Sequence, residues 1–142
     1  MVAWPIENLS PSVLIADDNA RWRSTVQDIL SRAGFRTLDV SSGEEAIEVV
    51  RGERLDVILI DFHMPRLDGI QTLRIIRREE RWLPAVLMTA EPEQLPAAEV
   101  HDLQIHSVIT KPADRRVIVT TVTRVVRRFG PPGPIGPEPI RP

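Results

Sequence analysis

Four short apolar runs each stop at a side chain suited to phosphate chemistry: Val13 to Ala16 at Asp17 and Asp18, Val57 to Ile60 at Asp61, Ala85 to Met88 at Thr89, and Val108 to Thr110 at Lys111. Lys111 is the sole lysine among 18 Lys and Arg residues. Two adjacent acids, with a third at another strand end, supply the few hard oxygen ligands that Mg²⁺ takes while water and phosphate oxygens complete its octahedron; Mn²⁺ fits equally well. Asp17 and Asp18 also suit helix capping, because Asp is favoured at an N-cap and in the first turn and Asn19 follows. Asp61 is harder to explain that way: an acid ending so apolar a run is costly to desolvate unless a cation or hydrogen bonds compensate. An ionised carboxylate there is a nucleophile toward phosphorus and needs no general base. A hydroxyl at Thr89 and an ammonium at Lys111 would bind the transferring oxygens, making catalysis a matter of positioning and electrostatics.

Runs of this length and β-branched content, separated by segments of helical period, predict buried parallel strands whose C-terminal edge builds the site. Trp22, Val26, Ile29, Leu30 and Ala33 form one face of a first helix closed by Gly34. Phe35 to Val40 is a second strand. Ser42 with Glu45 makes a capping box opening a helix that turns Ala46, Ile47 and Val50 inward and ends at Gly52. Asp56 to Asp61 is the third strand, followed by a Pro65- and Gly69-marked loop over Phe62 to Asp68 and a helix with Ile70, Leu73 and Ile76 on one side. Its other side carries Arg74, Arg77, Arg78 and Arg81, interrupted by Glu79 and Glu80 that offer i,i+4 pairing, so a solvated face is expected there. Pro84 opens the fourth strand. Pro92 and Pro96 predict that helix between Ala90 and Gln104 is short and begins near Pro96. The last helix, from about Asp114 to Phe129, sets Ile118, Val122, Val125, Val126 and Phe129 at helical spacing. Val117 and Val119 fall off that stripe and suit a partner or dimer surface. Five strands alternating with five helices give a parallel sheet covered on both faces.

At 142 residues and 42% hydrophobic the chain has the size of one ordinary domain. A formal charge of −2 gives no reason to expect bulk attraction to nucleic acid or to a membrane surface. With no Cys, neither a disulfide framework nor a thiolate metal site is available. Residues 1–11 lack the basic and apolar regions of a signal peptide, and no apolar run approaches the ~20 residues that span a bilayer, so a cytoplasmic location is expected. The division expected is an N-terminal extension (1–11), one domain (12–129) and a Pro/Gly-rich linker or tail (130–142) whose three Gly-X-Y triplets are too few for a collagen helix.

Asp17-Asp18 after strand one, Asp61 followed by Met64-Pro65 and Asp68-Gly69, Thr89-Ala90 after strand four and Lys111-Pro112 after strand five resemble the receiver domain of bacterial two-component response regulators, over about Val13 to Phe129. The resemblance implies a flavodoxin-like, doubly wound five-stranded parallel sheet in order 2-1-3-4-5 with five helices in three α/β/α layers. It implies that Asp61 accepts a phosphoryl group from a histidine kinase or phosphotransfer protein. It further implies that Asp17, Asp18, Asp61 and the backbone carbonyl of His63 hold Mg²⁺, that Thr89 swings toward the phosphoryl oxygens and that Lys111 pairs with them. Such a domain catalyses only its own phosphorylation and dephosphorylation. A protein partner is then expected, a homodimer through the fourth helix, fifth strand and fifth helix included, without direct nucleic-acid binding, as a stand-alone regulator or as the receiver portion of a longer protein whose linker begins at Gly130.

Family members usually carry Tyr or Phe three residues before the lysine; here that position is Val108, which puts the usual aromatic readout in doubt. His63 overlooks the acceptor's position, either modulating the hydrolytic water or contributing only its carbonyl as an exposed loop residue. His101 and His106 have no acid or histidine at metal-ligand spacing and read as ordinary polar residues. Two rival readings stand beside the switch. One is a phosphatase of the haloacid-dehalogenase kind, which wants an acid where His63 stands and a cap domain for which this length has no room. The other is a phosphorylation-independent interaction module.

Overall fold

Period-two alternation divides the strands between two cores, one on each face of a single sheet. The computed structural model describes residues 10–79 and 83–129. In chain order these form β1 (Ser12–Ala16), α1 (Ala20–Arg32), β2 (Arg36–Val40), α2 (Gly43–Gly52), β3 (Val57–Asp61), α3 (Gly69–Glu79), β4 (Ala85–Thr89), a 3₁₀ turn (Pro92–Gln94), α4 (Ala97–Asp102), β5 (Ile105–Thr110) and α5 (Arg115–Phe129). All neighbouring strands are parallel, in the order β2-β1-β3-β4-β5. The extension before residue 10, the Gly/Pro tail from 130, Glu80, Arg81 and the inward placing of the Phe129 side chain lie outside the described residues.

Val13, Ile15, Val57, Leu59, Val86, Met88 and Ile109 meet α1 and α5 on one face. Leu14, Ala16, Ile58, Ile60, Ala85 and Leu87 meet α2, α3 and Leu103 on the other. The central strands β1, β3 and β4 are buried along their whole length, as continuous apolar runs require. The fourth run departs from that expectation. It belongs to a longer strand at the sheet's edge, in which Ile109 is buried while Val108, on the opposite face, is 38% exposed.

Local signals fix most boundaries. Asn19, not either aspartate, is the N-cap of α1: its side chain accepts from the Trp22 N–H at 3.0 Å. Gly34, at φ 101°, turns the chain out of α1 in the left-handed region that favours glycine, and Phe35 N–H returns to Leu30 O at 3.0 Å. The capping box of α2 is only half of the reciprocal pattern. Ser42 Oγ accepts from Glu45 N–H, but the Glu45 carboxylate accepts from the Ser41 N–H at 2.9 Å, which holds its pKa below the usual carboxylate range. The fourth helix is as short as its prolines demand, Pro96 standing at its N-cap.

The arginine side of α3 is not a freely solvated face. Arg77 donates to Leu103 O at 2.7 Å, Leu83 O at 2.6 Å and Gln104 O at 3.4 Å, so one guanidinium gathers the start of β4 and the α4–β5 turn. Arg74 pairs with Glu99 of α4. Glu79 makes no i,i+4 pair within α3 but accepts both arms of Arg51 from α2 at 2.9 Å. Off the α5 stripe, Val117 is 46% exposed as expected, whereas Val119 packs against the α1/α5 core.

Candidate functional site

Three strand ends deliver the acids and the amine to one place at the C-terminal edge of the sheet. Asp17 follows β1, its N–H donating to Val40 O at 3.1 Å and its Oδ1 accepting from Asn19 N–H at 2.9 Å. Arg23, from the first turn and a half of α1, donates to the Asp17 carbonyl at 2.6 Å and to Asp39 at 2.9 Å, buttressing the acid loop from outside. Asp61 ends β3. The turn after it closes with Gly69 N–H donating to Phe62 O at 2.8 Å. A Cβ built on Gly69 would run into the Asp61 carbonyl oxygen, which explains a glycine at the start of α3 without invoking a special backbone angle.

Carboxylate oxygens of Asp17, Asp18 and Asp61 lie within 4.8 Å of one another. Asp17 and Asp61 are buried and Asp18 is exposed. Lys111 Nζ stands 2.7 Å from Asp17 Oδ2 and 3.1 Å from Asp61 Oδ1, bridging the ends of β1 and β3. It reaches them from a cis Lys111-Pro112 peptide, with its own N–H donating to Thr89 O at 2.8 Å. Burial, and then the charge of Asp17, push the Asp61 carboxyl up to about 6 from 3.8, with Lys111 opposing both. The excess negative charge is what a divalent cation neutralises. Few, hard and partly exposed oxygens leave room for water and phosphoryl ligands, so the donor set fits Mg²⁺ or Mn²⁺.

Thr89 ends β4 fully buried, and its Oγ1 accepts from the Glu91 N–H at 3.0 Å. His63 is exposed; its Nε2 is 3.9 Å from Glu91 Oε1 across the mouth of the site. His101 is exposed beside Asp102, and His106 is half-buried in β5, where burial and then Arg77 lower its pKa. Neither joins the carboxylate cluster. Sequence reasoning therefore placed Asp17, Asp18, Asp61, Thr89 and Lys111 together and missed Arg23, Glu91 and the approach of Trp22 to Lys111. Arg23 and Glu91 carry no motif signal, and Trp22 falls at the helical spacing of the α1 core stripe, which masks a second role.

The order 2-1-3-4-5 and an acid-lined edge define a doubly wound α/β protein with its site at the sheet's C-terminal edge. Residues 13–123 match the profile described as the response regulator receiver domain, and the chain belongs to that family. It is similar to the transcriptional regulatory protein AfsQ1 of Streptomyces coelicolor, 30% identical over 118 residues covering 83% of this chain and 52% of that protein. It is likewise similar to the alkaline phosphatase synthesis transcriptional regulatory protein PhoP of Bacillus subtilis, 28% identical over 120 residues covering 84% and 50%. The chain thus spans about half the length of these relatives. Among solved structures, the receiver domain of the sensor histidine kinase PA1611 from Pseudomonas aeruginosa, with magnesium coordinated in its active-site cleft, aligns with a TM-score of 0.76 at 26% identity, covering 83% of this chain and 98% of that one. The chemotaxis regulator CheY4 of Vibrio cholerae aligns with a TM-score of 0.76 at 25% identity, covering 82% and 98%. No helix among the described residues is long and apolar enough to cross a membrane.

Proposed function

We propose that this receiver domain is a phosphoacceptor switch in which Asp61 takes a phosphoryl group from a histidine kinase or phosphotransfer protein and thereby alters a protein–protein interaction. The observation that carries this reading is the convergence of three carboxylates within 4.8 Å with the only lysine 2.7 and 3.1 Å from two of them. Asp17, Asp18, Asp61 and the His63 backbone carbonyl would hold Mg²⁺, which supplies charge neutralisation of the phosphoryl oxygens. An Asp61 carboxylate oxygen forms the new bond to phosphorus as the bond from phosphorus to the donor's imidazole nitrogen breaks, the nitrogen leaving with the electron pair. Lys111 is already placed to follow the negative charge from the carboxylate to the phosphoryl group. No general base is needed, because at neutral pH a carboxyl with a pKa of about 6 is mostly ionised.

Output follows from the other contact at the site. The Thr89 hydroxyl holds the Glu91 N–H, and through it the loop leading to the 3₁₀ turn. When that hydroxyl turns to donate to a phosphoryl oxygen, its hold on residues 89–91 changes and the loop before α4 is free to move. An exposed valine at position 108, with no ring to swing inward, makes this backbone route the transmission available to the chain. One stoichiometric event rather than turnover is the reading favoured by position 63, where His63 offers no acid two residues after Asp61 for a phosphatase cycle.

Incubation with acetyl phosphate and Mg²⁺, followed by intact mass, tests the reading. A single phosphoryl adduct is expected that requires the metal and is absent from Asp61→Asn. No adduct with any phosphodonor would end the switch reading, and steady release of phosphate from monoesters would favour the phosphatase.

A further inference from the structure

We infer that Trp22 is a positioning residue for Lys111, an aromatic platform that keeps the ammonium over the acceptor site. The inference rests on the proposed role of Asp61, and its first measurement is independent of that role. Lys111 Nζ lies 5.7 Å from the centroid of the Trp22 ring, within the range of a cation–π contact. The ring is tied through its own nitrogen, and the residue's backbone through the cap of α1. The indole Nε1–H donates to Met88 Sδ at 3.3 Å in β4, and the backbone N–H of Trp22 donates to the Asn19 side chain that caps α1. The indole is half-buried against the α1/α5 core, so its plane is set by packing rather than by the lysine.

A lysine has a flexible four-carbon stem and carries its charge as a point, so an ammonium that must serve a reaction needs something to hold it. Asp17 and Asp61 hold it now, at 2.7 and 3.1 Å. Both are also the carboxylates whose oxygens a metal and a phosphoryl group would engage, so these two ion pairs are the contacts that change during the reaction. The Trp22 face is neutral, carried on a different element and unaltered by the chemistry at Asp61. It supplies a site for the ammonium that persists while the carboxylates change partners, and the Lys111 side chain, 18% exposed, is dry enough for such a contact to count.

The single lysine makes the test direct, because ¹³Cε-lysine labelling reports one methylene signal. In the unphosphorylated protein, its Hε protons should show an NOE to the Trp22 indole and an upfield ring-current displacement that Trp22→Leu abolishes and Trp22→Phe partly keeps. The rate constant for phosphorylation by acetyl phosphate should fall about three- to tenfold in Trp22→Leu, the size of a partly desolvated cation–π contact, and recover in Trp22→Phe. Missing NOEs in the wild-type protein would overturn the inference without any variant being made. A phosphorylation rate equally lowered in Leu and Phe variants would reduce Trp22 to a core residue and also overturn it. If the NOE and ring-current shift are present but no variant or wild-type protein forms an adduct, the contact stands, while the Asp61 reading and the positioning role built on it both fail.

Discussion

Replacing Asp61 by Asn should stabilise the metal-free protein while destroying its chemistry. In the folded state the Asp61 carboxyl titrates at about 6, against 3.8 for the same group exposed, first because it is buried and second because Asp17 lies beside it. The folded protein therefore binds more protons at this site than the unfolded chain between those two values, and stability falls as pH rises through that window. Above about pH 6 the full cost of the ionised group is present. At about 1.4 kcal/mol per tenfold change in proton affinity, the ceiling is about 3 kcal/mol. That shift already includes the opposing pull of Lys111, and an Asn amide oxygen still accepts from the ammonium, so a gain of about 1–3 kcal/mol is expected at neutral pH in chelator. Urea unfolding of both proteins with EDTA, repeated from about pH 4 to neutrality, should show the difference growing with pH and levelling off beyond the Asp61 titration. Adding Mg²⁺ should close the gap, because the wild type, with all three carboxylates, binds the ion more tightly and gains about 2.7 kcal/mol at a hundredfold excess over Kd. An Asn variant less stable than wild type in chelator, or a difference that ignores pH, would refute the view that Asp61 is electrostatically strained in the fold.

Gly69→Ala should push the Asp61 carbonyl away from the start of α3, costing about 1–3 kcal/mol by overpacking and weakening Mg²⁺ binding together with phosphorylation; a metal titration by calorimetry and intact mass read both. Arg77→Ala should leave Leu83, Leu103 and Gln104 carbonyls without their shared donor, costing about 2–4 kcal/mol and speeding amide hydrogen exchange in α4 and β5, while Mg²⁺ affinity stays at its wild-type value.

The site was legible in the sequence because strand ends are where apolar runs stop, and the residue at the stop needs only its type to be read. Asp17, Asp61, Thr89 and Lys111 each occupy such a stop, and the parallel sheet brings the stops together. The side chains that hold them were not legible, since a side chain that bonds a backbone carbonyl leaves no period and no motif. Arg23 on the Asp17 carbonyl and Arg77 on three carbonyls were indistinguishable, as letters, from arginines in water. Edge and centre were equally invisible: the fourth run has the same β-branched texture as the others, and only strand order shows that it lies at the sheet's rim.

That rim position bears on how the domain signals. On a buried central strand, a valine for a ring would leave a cavity and demand repacking. On β5 it stands partly exposed, so its substitution changes the surface beside α4 without disturbing the core. The elements that could move are then the six-residue α4 and the loop before it, tied to α3 by the Arg74–Glu99 pair and the Arg77 clamp and to the site by the Thr89–Glu91 bond. A bond to a single N–H of about 1 kcal/mol at one end opposes several charge-assisted contacts at the other. Under the proposed switch, release at Thr89 should therefore move the loop near the 3₁₀ turn before it moves α4 as a whole, and the surface expected to change first lies at Glu91 to Leu95, next to His63, rather than along β5.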